Sequence, residues 1–118
     1  MGMSMTTEFR NNVRLAIFVG REHHVLMKNY TVNMSSGGMF IETDTIYRVN
    51  TPLIVKFNIP DNDITITCNA KVAWTNEPGL LKKSSYPSGM GIQFMDLSLE
   101  NLQAIRNYLK GVELKPTW

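Results

Sequence analysis

The chain has 118 residues, with 12 Lys and Arg against 10 Asp and Glu, and a formal net charge of +2. That length makes one domain with a single core. The near balance of charge argues against the dense basic face that bulk binding to DNA or to an anionic membrane requires. Cys68 has no second cysteine to pair with, so an internal disulfide and a thiolate metal set are excluded, and a reducing compartment, the cytoplasm, is the simpler expectation.

Residues 1–8 read as a loose, polar, Met-rich tail without the apolar run of a signal peptide or anchor. No stretch approaches the roughly 18 apolar residues of a spanning helix. The segment Arg10-Asn11-Asn12-Val13-Arg14 leads into an apolar, partly β-branched run at 15–19 that predicts a first strand, followed by a turn at 20–22. Arg14 therefore stands at a strand entrance. His24, Leu26, Tyr30, Val32 and Met34 share one parity, an imperfect alternation that predicts a second strand. It ends in Asn33-Met34-Ser35-Ser36-Gly37-Gly38, expected to be a corner whose amides face outward, free of any ladder. Residues 39–43 then make a short third strand.

Leu53, Val55, Phe57 and Ile59 alternate with Ile54, Lys56 and Asn58 in a fourth strand, stopped by Pro60 and the acidic turn at 61–63. In the fifth, Ile64, Ile66, Cys68, Ala70, Val72 and Trp74 share one face, and Thr65, Thr67, Asn69 and Lys71 the wet one. A long loop over 75–88, with Pro78-Gly79, Lys82-Lys83 and Pro87, precedes a last strand at 90–94. Ser98 is placed to cap a helix, with Leu97 and Leu102 as a hydrophobic staple and Leu102, Ile105 and Leu109 as its apolar stripe. Gly111 is placed to end it, with Lys110 at the negative end of its dipole. About six short strands and one amphipathic helix argue for a small antiparallel barrel with the helix packed beside it.

Two clusters carry the chemistry. A guanidinium is a planar fork of donors that meets a phosphate or the O6/N7 edge of guanine with two parallel hydrogen bonds. Arg10 and Arg14, spaced for the same side of an extended or a helical segment, make a clamp for a phosphate-bearing guanine nucleotide. Asn33 and Ser35 add an amide and a hydroxyl that can read a base edge or a phosphate, and Gly38 lets a ligand approach the backbone. Either cluster alone is as well explained by a solvated surface or an ordinary turn. His23 and His24 are adjacent and point to opposite faces of a strand, so they cannot share a metal. Cys68 and Trp74 lie on the apolar parity and read as core; Lys82-Lys83 reads as a solvated pair. No nucleophile–base pair or metal-ligand set emerges, so neither catalysis nor a cofactor is expected.

In chain order, Arg-x-x-x-Arg, a strand, Asn-x-Ser-x-x-Gly running into Gly-Met-Phe-Ile, and Gly-Met-Gly-Ile-Gln-Phe ahead of a helix opened by Leu-Ser closely resemble the PilZ domain family. The likeness covers residues 9–111 and leaves 1–8 and 112–118 as tails. It implies a bacterial cyclic di-GMP receptor with a six-stranded antiparallel split barrel, a C-terminal helix and no catalytic activity. By the same resemblance Arg10 and Arg14 grip the phosphates and a guanine, and Asn33, Ser35 and Gly38 contact the other face of the ligand. The first position of the second motif is often Asp in the family; Asn33 keeps an acceptor for guanine N1 or N2 without the charge that strengthens the bond. Phe9, directly before Arg10, supplies no third guanidinium and gives less support to a stacked ligand dimer. The partners implied are cyclic di-GMP and a downstream protein, in motility or exopolysaccharide regulation, without nucleic acid or membrane insertion. The alternative is a PilZ-like protein–protein interaction module with weak or no nucleotide binding.

Overall fold

Period-two alternation builds the wall of the molecule. The computed structural model describes residues 11–60, 63–79 and 86–114. Among them, β1 (Ala16–Glu22), β2 (Val25–Ser35), β3 (Gly38–Glu42), β4 (Pro52–Ile59), β5 (Ile64–Asn76) and β6 (Gly89–Phe94) precede one helix, α1 (Leu99–Leu114). The strands close into an antiparallel barrel, as the strand pattern and the resemblance both imply, and their order around it is β1-β2-β3-β6-β5-β4.

The inward parity of each strand is apolar because a closed barrel this small is filled by its own side chains. Ile17, Val19, Leu53, Val55, Phe57, Ile59, Ile66, Ala70 and Val72 form one buried cluster with Met34, Met39, Ile41, Met90 and Ile92. Fully burying each large aliphatic side chain contributes about 1.5–3 kcal/mol, so this interior is the main source of stability. Ile105 and Leu109 of α1 join it, with Leu97 and Val112 packed alongside. Ser98 caps α1 as its sequence position suggests: its Oγ accepts the Asn101 N–H at 3.0 Å and its carbonyl the Leu102 N–H at 2.9 Å. Gly111 does not end the helix, which runs to Leu114, so Lys110 lies before the last turn. A mid-helix glycine costs only about 1 kcal/mol, and Val112 packs against the core one residue beyond it.

Two strands depart from simple alternation, and both departures matter for the outer surface. In β2 the register shifts between Thr31 and Asn33. Thr31 is fully buried, its hydroxyl donating to the Val13 carbonyl and accepting the Leu15 N–H. The parity that would bring Tyr30 and Val32 inward is therefore not realised. In β5 the register shifts between Val72 and Trp74. Val72 stays in the core while Trp74 turns to the outer face, against the expectation that it belongs to the core. One extra residue reverses which face every later side chain occupies.

Candidate functional site

The segment ahead of β1 continues the pairing with β2. Asn11 and Met34 exchange N–H···O=C bonds of 3.0 Å in both directions, and the Thr31 N–H donates to the Leu15 carbonyl at 3.0 Å. Residues 11–15 thus run antiparallel beside the end of β2, with Val13 and Leu15 turned inward and Asn12 and Arg14 exposed. The shift after Thr31 puts Asn33 opposite Phe40 and Ser35 opposite Gly38 on the outer face, while Met34 and Met39 face the core. Arg14, Tyr30, Asn33, Ser35 and Glu42 accordingly belong to one face. Arg10 lies outside the described residues, as do residues 1–8, 61–62 and the Lys82-Lys83 pair.

The Arg14 guanidinium carbon sits 4.5 Å from the centroid of the Tyr30 ring, and Nη1 is 3.4 Å from Glu42 Oε1. Both charged side chains are open to water, 64% and 49% exposed. Lys28 Nζ lies 5.6 Å from the same ring, so Tyr30 carries two cations on the outer face of β2. Neither Tyr30 nor Lys28 is marked by motif spacing.

Asn33 is only 4% exposed, and its Nδ2 donates to the Tyr86 hydroxyl at 3.1 Å. Tyr86 stands edge-on to Phe40 and Trp74, with centroids at 4.9 and 5.7 Å, and Phe40 meets Trp74 at 4.9 Å. Asn76 Nδ2 reaches the Tyr86 and Pro87 carbonyls at 3.3 and 3.0 Å and anchors this segment to the end of β5. The glycines of β6 make room for the aromatic cluster: a Cβ on Gly91 would lie 2.1 Å from Trp74 Nε1. Tyr86 was not legible as a site residue, because a tyrosine in a long loop has no periodicity to place it.

The bend itself is tighter than the sequence suggests. Asn33 and Ser35 lie within β2, and only Ser36 and Gly37 turn the chain before Gly38 pairs with Ser35. Its amides are not generally free, contrary to expectation: the Met34 N–H is taken by Asn11, and the Gly37 N–H donates to Ser35 Oγ at 3.2 Å. Gly38 has a packing reason of its own, since a Cβ there would lie 2.1 Å from the Ile92 carbonyl oxygen. Cys68 is buried, and burial first, then the Asp96 carboxylate, pushes its thiol up to about 11. Among the described residues no group of three His, Cys, Asp or Glu could hold a metal ion, and no helix is long and apolar enough to cross a membrane.

The sequence model of the PilZ domain matches residues 7–111. The chain belongs to the PilZ domain family. The family is one of non-catalytic cyclic di-GMP receptors. Among solved structures, this PilZ domain is similar to the Bacillus subtilis inhibitor of motility MotI/DgrA, with a TM-score of 0.71 at 16% identity over 92% of this chain and 52% of that one. The chain thus spans about half the length of MotI/DgrA. The PilZ domain of YcgR from Escherichia coli, solved with cyclic di-GMP, gives a TM-score of 0.67 at 11% identity, covering 91% and 90% of the two chains. The PilZ domain of CeSA from a cellulose-synthesizing bacterium gives 0.61 at 11% identity, covering 89% and 98%. Comparison with curated protein sequences gives no match.

Proposed function

We propose that this PilZ domain binds cyclic di-GMP on the outer face of β2 and β3 and acts as an adaptor that couples the nucleotide to a partner protein. The observation that carries the reading is the two-way Asn11–Met34 pairing, which sets Arg14 on the same face as Asn33 and Ser35. In this reading Arg10 and Arg14 take the phosphates and a guanine edge through paired N–H donors. Asn33 accepts from guanine N1 or N2, Ser35 offers its hydroxyl, and the bare Gly38 keeps the bend low.

Asn33 is buried and its Nδ2 donates to the Tyr86 hydroxyl, so a base that donates to Asn33 Oδ1 reads an amide whose orientation depends on Tyr86. Asn76 ties the Tyr86 backbone to β5, which gives the ligand a route from the site to the segment before β6. The ordering of residues around Arg10 by the ligand would supply a second change of shape. Such an adaptor works in the cytoplasm, with an output on motility, as the name of MotI/DgrA suggests for that protein, or on polysaccharide export.

Calorimetric titration with cyclic di-GMP tests the proposal: saturable heat supports it, and no heat at high micromolar ligand ends it. A second reading, a docking module with little nucleotide binding, is favoured by the engagement of Asn33 and Ser35 within the protein. Capture of a partner from a nucleotide-depleted lysate, equal with and without added cyclic di-GMP, would support that reading.

A further inference from the structure

We infer that Glu42 is a built-in competitor for Arg14, an intramolecular anion that occupies the guanidinium until a ligand phosphate displaces it and so sets the affinity of the site. The inference rests on the cyclic di-GMP reading above. Arg14 is held by a cross-strand pair, because Tyr30 of β2 and Glu42 of β3 stand directly opposite each other on the outer face.

The two holders act differently. Tyr30 presents its ring at 4.5 Å from the guanidinium carbon, and attraction to the ring face leaves the in-plane N–H donors available to an anion. Glu42 takes one of those donors, Nη1, at 3.4 Å. A guanidinium meets a phosphate best through two parallel N–H bonds, and every donor edge that includes Nη1 is contested by this carboxylate. If Glu42 stays in place it repels the incoming phosphate; if it leaves, its own contact is lost. Either way it weakens binding. Arg14 does not depend on it for position, since the Tyr30 contact remains.

The strength fits a tuning role. With side chains 64% and 49% exposed, the pair is solvated and screened. Exposed pairs of this kind correspond to about two- to fivefold in an equilibrium constant. That is enough to shift a threshold concentration and too little to block a ligand with two phosphates.

Glu42→Gln keeps the length of the side chain and removes its charge. Calorimetry with cyclic di-GMP is expected to give a Kd about two- to fivefold lower in Glu42→Gln than in wild type. Glu22→Gln, which removes the same charge at the other end of β1, is expected to shift Kd by less than about twofold, as screening over more than a Debye length requires. Pyrophosphate, followed at the Arg14 Nε–H resonance, gives the comparison without the base and is expected to act at lower concentration on Glu42→Gln. Wild type silent towards cyclic di-GMP would end the receptor reading, while the pyrophosphate comparison would still decide the role of Glu42. Equal or weaker binding by Glu42→Gln, or an equal gain in Glu22→Gln, would overturn the inference; weaker binding would make Glu42 a positioning residue.

Discussion

The side-chain amide of Asn33 donates to the Tyr86 hydroxyl at 3.1 Å, joining the end of β2 to the segment that leads into β6. Tyr86→Phe removes that bond and keeps the ring against Phe40 and Trp74. The loss of one neutral hydrogen bond is expected to lower stability by about 1 kcal/mol in urea unfolding. If the Tyr86 hydroxyl orients the Asn33 amide for the base, the same variant binds cyclic di-GMP several-fold more weakly; unchanged or tighter binding would show that the hydroxyl does not prepare Asn33 for the ligand.

Arg14 separates binding from folding. Its side chain is exposed and its ion pair with Glu42 solvated, so Arg14→Ala is expected to change stability by no more than about 1 kcal/mol. Affinity for cyclic di-GMP should fall by about 1.5–3 kcal/mol, the range for a hydrogen bond to a charged group, and Arg10→Ala should behave alike. Calorimetry and thermal unfolding on the same preparations check both halves. Unchanged binding in both variants would refute the assignment.

Gly38 and Gly91 are expected to behave as packing residues. An added Cβ would lie 2.1 Å from the Ile92 carbonyl oxygen in Gly38→Ala and 2.1 Å from Trp74 Nε1 in Gly91→Ala. Overpacking of this kind costs about 1–3 kcal/mol. Gly38→Ala would have to push β3 from β6, whereas Gly91→Ala would move an indole and alter Trp74 fluorescence in a Trp118→Phe background. A Gly38→Ala protein that loses ligand without losing stability would show that the missing side chain serves the ligand rather than the strand.

Cys68 gives an alkaline signature. Its thiol is raised to about 11 in the folded chain from an ordinary value of 9.0. Between those values the unfolded chain has lost the proton that the folded chain keeps, so folded stability falls as pH rises through this window and is unaffected below it. Urea unfolding from pH 8 to 11 should therefore show a steeper decline in wild type than in Cys68→Ala. Parallel declines would contradict the shift.

Much of the barrel was legible because its strongest strands obey one simple rule. Leu53, Val55, Phe57 and Ile59 alternate without interruption, and so do Ile66, Cys68, Ala70 and Val72, because both strands place one parity in a closed apolar interior. The start of α1 was equally plain, since Ser98 has few better uses than its cap. The register shifts before Asn33 and Trp74 were hidden, because Val32 and Ala73 are ordinary strand residues and a bulge is stabilised by tertiary contacts such as those of the Thr31 hydroxyl. Those shifts leave Tyr30 and Trp74 on the outer face, Tyr30 beside Asn33 and Ser35. The site motifs could be read from their residue types, but their common surface could not, nor could the partnership of Asn33 with Tyr86 or of Arg14 with Glu42.

The most direct test is a titration of the isotope-labelled protein with cyclic di-GMP, followed by backbone and side-chain amide resonances. The largest saturable shifts are expected on Asn11, Arg14, Asn33, Ser35 and Gly38, with Tyr86 moving in step. Saturable shifts confined to α1 or to the β4–β5 wall, with those residues unmoved, would contradict the proposed site.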